Sequence, residues 1–142
     1  MARTAKGRET KERIWRAALA RIAQDGFAEA TMRSIAKDAG VSLGLLSRYF
    51  PSKEAFVVAL YDQLSANFAE VAPSALEADD WEEAFFDLVE ASLQTLAPHR
   101  RTLRQLFNVF FSEKDNGLYP GANPFQRERV QGVFEELGRR SK

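Results

Sequence analysis

The chain has 142 residues, no cysteine, 45% hydrophobic residues including eleven Phe, and 20 basic against 20 acidic side chains. This length and apolar content predict one folded domain, or a small domain with part of another, and exclude an extended disordered chain. The lack of cysteine excludes disulfides and thiol chemistry within the chain, and no run approaches the ~18 apolar residues of a membrane span.

The first helix is predicted from about Glu9 to Gln24. Its apolar positions recur at helical spacing and end before Asp25-Gly26: Ile14, Ala18, Leu19 and Ile22. Residues 1–8 have no such periodicity and are therefore expected to form a basic arm before the helix. They also lack the apolar stretch of a secretory signal.

The segment 31–53, TMRSIAKDAGVSLGLLSRYFPSK, predicts two short helices joined by a tight turn, with a third helix following. Thr31 can cap the first of these helices and Ser42 the second. Gly40 suits the left-handed conformation at the end of a helix, and Pro51 ends the next helix. This helix-turn-helix order can place an exposed helix in the major groove of DNA.

Helical spacing divides the second helix of this motif into two faces. Leu46 and Phe50 should point inward with Val41 as a buried plug of the turn. The outward set is Leu43, Gly44, Leu45, Ser47, Arg48 and Tyr49. Gly44 would allow close approach of another surface, and Arg48, Tyr49 and Lys53 suit phosphate or base edges.

Two large apolar side chains, Leu43 and Leu45, fall on the outward face. They either contact thymine methyl groups, the apolar part of the major-groove pattern, or one of them packs on a neighbouring helix. Both interpretations stay open at the level of sequence.

The segment resembles the DNA-binding region of the TetR family of transcriptional regulators, with the pattern T-x-R-x-I-A-x-x-A-G-V-S-x-G-x-L-Y-x-Y/H-F-x-S-K-E. The resemblance covers roughly residues 8–60 in detail. The matching residues are Thr31, Arg33, Ile35, Ala36, Ala39, Gly40, Val41, Ser42, Gly44, Leu46, Tyr49, Phe50, Ser52, Lys53 and Glu54.

The resemblance implies which residues contact double-stranded DNA. They are Thr31, Arg33, Ser42, Leu43, Gly44, Leu45, Ser47, Arg48, Tyr49 and Lys53. Within this set, Tyr49 and Lys53 would grip phosphate. The chain departs from the common pattern at Leu43, Leu45 and Ser47, where sequence is recognised, so the operator sequence does not follow from the resemblance.

Charge is segregated along the chain although its net value is zero. Residues 1–53 hold eleven Lys or Arg and five Asp or Glu, net +6; residues 54–99 hold ten acids and no Lys or Arg; residues 100–142 are net +4. The basic block coincides with the helix-turn-helix, as expected for a surface that displaces counterions from phosphate. The arm of residues 1–8 either lies along a groove or is a disordered start.

The rest of the chain predicts further helices and no β-alternating segment. A fourth helix is expected from Ser52 to about Val71, stopped by Pro73; a fifth begins at a cap on Asp79 or Asp80 and ends at Pro98. Further helices are expected over about 100–112 and 125–137, separated by a loop rich in turn formers. The predicted fold is all-α: a three-helix DNA-binding domain, residues 1–53, then a helical effector-binding and dimerisation region, residues 54–142.

In the resembled family, the second region binds a small effector between helices and moves the fourth helix. Residues that could line such a pocket are Phe68, Phe85, Phe86, Val89, Leu103, Phe107, Phe110 and Phe111. Aromatic residues at helical spacing are more often simply core. Family members usually pair two more carboxy-terminal helices in a homodimer; the bundle here is therefore expected to be partial, or its dimer contact to be built differently.

Nothing in the sequence favours an enzyme, a metal site or a cofactor. His99 stands alone beside Pro98, and no Cys/His set has metal spacing. The acids Asp79, Asp80, Glu82 and Glu83 lie at a predicted helix start, where the helix dipole favours them.

We therefore expect a cytoplasmic transcriptional repressor. It would act as a homodimer on palindromic operator DNA and be released by an apolar or amphipathic effector, without membrane contact. The alternatives are a helix-turn-helix protein without a sensor, and a helical protein-interaction module whose basic face meets an acidic partner.

Overall fold

A computed structural model of the chain describes residues 4–110 and 124–140. Regular structure in these residues is entirely helical, which confirms the all-α prediction. The helices are α1 (Ala5–Asp25), α2 (Met32–Ala39), α3 (Leu43–Tyr49), α4 (Lys53–Ala75), α5 (Trp81–Leu96), α6 (Arg100–Phe110) and α7 (Pro124–Arg140), with a 3₁₀ turn at Ala97–His99 before α6. In the described part of the chain, no helix is both long and apolar enough to cross a bilayer.

The described residues form two compact units. The first contains the residues up to Val58 and those of α6 from Arg101 onward; the second runs from Ala59 to Arg100 and includes α7. Helix α4 thus contributes its first part to one unit and the remainder to the other. The expected division into a DNA-binding domain, residues 1–53, and an effector-binding region, residues 54–142, stays a prediction.

The first unit is built around one face of α1. Ile14, Ala18 and Ile22 on this face are fully buried, and α1 packs against α2, which in turn contacts α3. From α4, the Phe56 ring lies 4.5 Å from that of Phe50. From the part of α6 in this unit, the buried Thr102 hydroxyl donates to the Leu19 carbonyl at 3.4 Å.

Helix α1 begins at Ala5, four residues before the predicted Glu9. The Thr4 hydroxyl accepts a hydrogen bond from the Gly7 amide at 3.1 Å, so Thr4 caps the helix. The predicted arm is therefore wrong for residues 5–8, and residues 1–3 lie outside the described residues. Apolar periodicity cannot detect an exposed polar helix start. Three of its four residues, Ala5, Lys6 and Arg8, are good helix formers.

The second unit has its own core, formed where the end of α4 packs with α5 and α7. Its buried members are Phe68, Ala72, Ala75, Leu76, Ala84, Leu88 and Leu137. Helix α4 runs past Val71 and contains Pro73, so the predicted stop at that proline is wrong. Burial of Ala72 and Ala75 in this core requires the helical turn that continues through Pro73.

The boundaries of the remaining helices agree with the sequence to within a few residues. Asp80 caps α5 by accepting from the Glu83 amide at 3.3 Å, and α5 ends at Leu96 before the turn that carries Pro98. Helix α7 is longer at its end than the predicted 125–137. The Arg129 guanidinium fastens α7 to α4 through the Asp62 carboxylate at 3.0 Å.

Candidate nucleic-acid interface

The start of α2 is fixed by a capping box. The Ser34 amide donates to the Thr31 hydroxyl at 3.0 Å, and the Thr31 amide donates to the Ser34 hydroxyl at 3.1 Å. These reciprocal bonds satisfy backbone donors that a helix start leaves without partners. The predicted cap at Thr31 is confirmed, with Ser34 as its second member.

The turn between α2 and α3 depends on Gly40, whose φ of 66° lies in the left-handed region. The Gly40 amide donates to the Lys37 carbonyl at 3.1 Å, and the Val41 amide donates to the Ala36 carbonyl at 3.0 Å. Val41 was expected to be buried and is half-buried. The Ser42 hydroxyl then accepts from the Leu45 amide at 3.1 Å and starts α3 as predicted.

Helix α3 is seated by its inward residues and leaves its other face exposed. Leu46 is fully buried and Phe50 is 4% exposed, whereas Leu43 is 40% exposed. Of the residues expected to contact DNA, most are exposed: Thr31, Arg33, Ser42, Leu43, Gly44, Ser47 and Arg48. Leu45, Tyr49 and Lys53 are half-buried. A Cβ added to Gly44 would meet no atom within 4 Å, so this part of the helix surface is open.

Lys53 has contacts within the protein that its sequence position did not suggest. Its ammonium donates to the backbone carbonyls of Phe27 at 2.7 Å and Ala28 at 3.2 Å. The same nitrogen lies 4.7 Å from the centroid of the Phe27 ring, a favourable cation–π distance. The first residue of α4 is thereby fastened to the turn between α1 and α2.

Several other basic side chains of the amino-terminal block also have internal partners. The Arg13 guanidinium donates to the Ala39 carbonyl at 3.1 Å, and Arg16 pairs with Glu12 at 2.9 Å on the surface of α1. Lys11 lies over the Phe50 ring at 5.6 Å. Part of the hydrogen-bonding capacity of these basic side chains is therefore used within the protein, although their positive charge remains.

Arg21 forms the most extensive of these internal contacts. Its guanidinium is bound to both carboxylate oxygens of Asp38, at 2.7 and 2.6 Å, and to Asp25 at 3.0 Å. Hydrogen bonds from Arg21 lower the pKa of Asp38, and the two carboxylates raise that of Arg21. The Arg21–Asp25 pair has the i,i+4 spacing visible in sequence; the pairing with Asp38 has no local signal.

The residues proposed from sequence to line an effector pocket are divided between the two units. Phe68 is buried in the core of the second unit, whereas Phe85, Phe86 and Val89 lie on the exposed face of α5. The Phe85 ring is 5.9 Å from that of Phe86. Leu103 and Phe107 belong to the first unit, where Phe107 is 60% exposed. The Phe110 side chain and Phe111 lie outside the described residues, and a shared pocket stays a prediction.

An open groove of about 540 Å³ runs between α4 and α5 in the second unit. It is lined by Glu70, Val71, Ser74, Ala75, Asp87, Glu90, Ala91 and Gln94. None of the predicted effector residues contributes to this lining, and its carboxylates suit polar groups better than an apolar ligand. Within the described ranges, no cluster of three or more His, Asp and Glu side chains could hold a metal ion. His99 lies at the turn before α6, and its partial burial lowers the pKa of its imidazole.

Comparison with known proteins finds relatives of the amino-terminal part of the chain. Residues 14–60 match the sequence model of bacterial regulatory proteins, tetR family. Over 72 residues, the chain is 35% identical to the HTH-type transcriptional regulator BetI 2 of Chromohalobacter salexigens; this match covers 49% of the chain and 35% of that protein. The chain thus spans about a third of the length of this relative.

Two solved structures of FadR proteins resemble the described fold. The fatty acid degradation regulator FadR of Bacillus halodurans aligns with a TM-score of 0.63 and 26% identity, covering 89% of this chain and 61% of that one. FadR of Thermus thermophilus, a TetR family transcriptional repressor in complex with lauroyl-CoA, aligns with a TM-score of 0.57 and 28% identity, covering 89% and 60%.

Proposed function

We propose that the chain, whose residues 14–60 match the sequence model of the TetR family of bacterial regulatory proteins, represses transcription by binding operator DNA. The observation that carries this proposal is the exposed face of α3. Burial of Leu46 on the opposite side keeps this face turned toward solvent, and the helix begins at the Ser42 cap. A short helix presented in this way fits the major groove.

The proposed DNA contacts fall into two kinds. Arg33, Ser42, Arg48, Tyr49 and Lys53 would contact phosphate or base edges, with Thr31 at the start of α2 beside them. The other contacts would come from the exposed surface of α3, where Leu43 and Leu45 would meet thymine methyl groups and Gly44 would allow close approach. Ser47 completes this surface.

We further propose that the effector is apolar or amphipathic. This is supported by the exposed apolar face of α5, where Phe86 and Leu93 are 68% and 62% exposed. It is also supported by the lauroyl-CoA bound to the Thermus thermophilus FadR, because an acyl thioester has both an apolar chain and a charged head group. The effector would favour a conformation that binds DNA poorly, which needs only a few kcal/mol of differential affinity.

A homodimer on a palindromic operator completes the proposal. Two copies would place two α3 helices in successive major grooves, and such symmetry predicts half-sites about one helical turn apart. The protein would work in the cytoplasm as a regulator and not as an enzyme.

The proposal is tested by selecting preferred duplexes from a random pool and measuring affinity for the selected and an unrelated duplex at 50 and 200 mM salt. We expect preference for a palindrome and a steep salt dependence. Arg48→Ala should weaken binding, while Arg16→Ala, which removes an exposed pair within α1, should not. A protein-interaction module would show neither sequence preference nor a steep salt slope.

The effector is tested on the selected duplex with lauroyl-CoA and with free coenzyme A as its matched control. Release of the duplex by lauroyl-CoA but not by free coenzyme A supports an apolar or amphipathic effector. Unchanged DNA binding with both compounds, and with other amphiphiles of the same chain length, would favour a helix-turn-helix protein without a sensor.

A further inference from the structure

The guanidinium of Arg21 joins α1 to the last turn of α2. Two of its nitrogens, Nε and one Nη, donate to the two oxygens of Asp38 at 2.7 and 2.6 Å, and its other Nη donates to Asp25 at 3.0 Å. A guanidinium that binds both oxygens of one carboxylate fixes orientation as well as distance, which a lysine ammonium cannot do.

A second contact from α1 ends one residue further along. The Arg13 Nε donates to the Ala39 carbonyl at 3.1 Å. Asp38 and Ala39 are therefore both held from α1, and the next residue is Gly40, where the backbone turns with a φ of 66°. The last turn of α2 is fastened immediately before the chain changes direction toward α3.

The orientation of α3 depends on this turn. Helix α3 has only 7 residues, and Leu46 is its buried member. Because a helix so short has little buried surface of its own, its direction depends on the end of α2 and the Gly40 turn as well as on the burial of Leu46 and Phe50. A small rotation there would move the exposed side chains of α3 out of register with base edges.

We propose that Arg21 is a positioning residue for DNA recognition: its paired hydrogen bonds to Asp38 hold the last turn of α2 and so orient α3 for contact with bases. This inference rests on the proposed function of α3. Its effect is on sequence preference, because base contacts specify a site whereas phosphate contacts supply general affinity.

Arg21 is unsuited to contact phosphate itself. Its side chain is 26% exposed and lies against two carboxylates, so the group of Arg21, Asp25 and Asp38 carries a net charge of −1. Loss of a phosphate contact would flatten the salt dependence of binding. Loss of a positioning contact leaves that slope unchanged and lowers the ratio of specific to random affinity.

The test compares Arg21→Lys and Asp38→Asn with Arg16→Lys in the full chain. Arg16 is the matched control because its pair with Glu12 lies within α1, with side chains 75% and 50% exposed. Affinity is measured for the selected duplex and for a random duplex at two salt concentrations. Thermal unfolding and circular dichroism of each variant give the folded fraction at the binding temperature.

We expect Arg21→Lys and Asp38→Asn to lose about tenfold in affinity for the selected duplex, the scale of a mismatched base pair. Random-duplex affinity should change by less than about twofold, with an unchanged salt slope. The double variant should lose no more than either single variant, because both remove the same contact. Arg16→Lys should match the wild-type chain.

Equal losses on both duplexes, in proportion to a lower folded fraction, would overturn the positioning role and leave Arg21 a purely structural residue. An unchanged affinity ratio in well-folded Asp38→Asn would overturn it as well. If the wild-type chain itself shows no sequence preference, the proposed function fails and this inference fails with it. If the wild-type chain prefers the selected duplex and Arg21→Lys shows the same preference, the inference is refuted while the proposed function stands.

Discussion

The ammonium group of Lys53 lies 2.7 Å from the backbone carbonyl oxygen of Phe27, so the start of α4 is bound directly to the turn after α1. A second bond, to the Ala28 carbonyl at 3.2 Å, uses another donor of the same group. An ammonium has three donors, which leaves one for a phosphate. The remaining donor would make the phosphate contact proposed for Lys53.

Replacing Lys53 with Ala should weaken binding to all duplexes alike and flatten the salt dependence by about one unit. It should also lower the free energy of unfolding by on the order of 1 kcal/mol, because the two carbonyls lose a charged donor. Binding titrations at several salt concentrations and urea unfolding measure the two effects separately. A loss of stability with an unchanged salt slope would show that Lys53 acts only within the protein.

Leu43→Ala should cost about 1 kcal/mol of binding at a thymine-containing half-site and little at other sites, on the scale of a single base contact. Leu43 is 40% exposed, so unfolding should be nearly unchanged. Leu46→Ala is the contrasting variant: Leu46 is fully buried, and its truncation should destabilise the fold by about 2–5 kcal/mol. An equal loss for Leu43→Ala on thymine-free sites would exclude methyl contact.

Two glycines of the motif should respond oppositely to alanine. An added Cβ meets no atom within 4 Å at either Gly40 or Gly44, but Gly40 has a φ of +66°. Gly40→Ala should therefore lower the free energy of unfolding by about 1–2 kcal/mol through backbone strain alone. Gly44→Ala should raise it by about 0.5–1 kcal/mol, because alanine is the better helix former.

DNA affinity separates the two glycine variants further. Gly44→Ala should weaken binding to the selected duplex despite its greater stability, since the proposed function needs close approach at this position. Chemical denaturation and duplex titration of both variants test the pair. A stabilised Gly44→Ala that binds as tightly as wild type would show that no DNA group approaches this part of α3.

The helix-turn-helix could be predicted from sequence because its determinants are local. The caps at Thr31 and Ser42 act on amides a few residues away, and the Gly40 turn needs one backbone conformation that glycine favours. Each signal lies within a few residues of its effect. Sequence therefore predicted the caps, the turn and the inward Leu46 correctly.

The features missed by sequence depend on contacts between distant segments. Arg21 and Asp38 are 17 positions apart, and Lys53 is 26 positions from Phe27, so no local pattern pairs them. Pro73 was expected to end α4, but the core around Ala72 and Leu76 retains the helical turn. Helical spacing likewise could not distinguish the buried Phe68 of α4 from the exposed Phe86 of α5. Spacing shows which residues share a face of one helix, but not whether another helix covers that face.

Acid should weaken the contact between α1 and α2. Hydrogen bonds from Arg21 lower the pKa of Asp38 below its ordinary value. A carboxylate with a lowered pKa in the folded state stabilises the fold above its unfolded pKa of about 3.9, and this contribution disappears as the pH falls through the folded pKa. Asp38→Asn should therefore reduce the pH dependence of stability below pH 4, measured by thermal unfolding from pH 2 to 7. The same acid dependence in wild type and variant would contradict this assignment.

Substitutions of Phe68 and Phe86 distinguish the core of the second unit from its proposed effector surface. Phe68 is 5% exposed and lies in the core, with its ring 6.2 Å from that of Phe134. Phe68→Ala should lower the free energy of unfolding by about 3–5 kcal/mol. Phe86 is 68% exposed, so Phe86→Ala should change stability by less than about 0.5 kcal/mol.

Phe86→Ala should affect the response to effector although it hardly affects stability. If the apolar face of α5 binds the acyl chain, Phe86→Ala should raise the concentration of lauroyl-CoA needed to release DNA while leaving DNA affinity itself intact. Calorimetric titration with lauroyl-CoA and with coenzyme A separates acyl-chain binding from head-group binding. Unchanged acyl-chain affinity in a well-folded Phe86→Ala would place the effector elsewhere, because an exposed aromatic side chain that contacts a ligand must lose that contact on truncation.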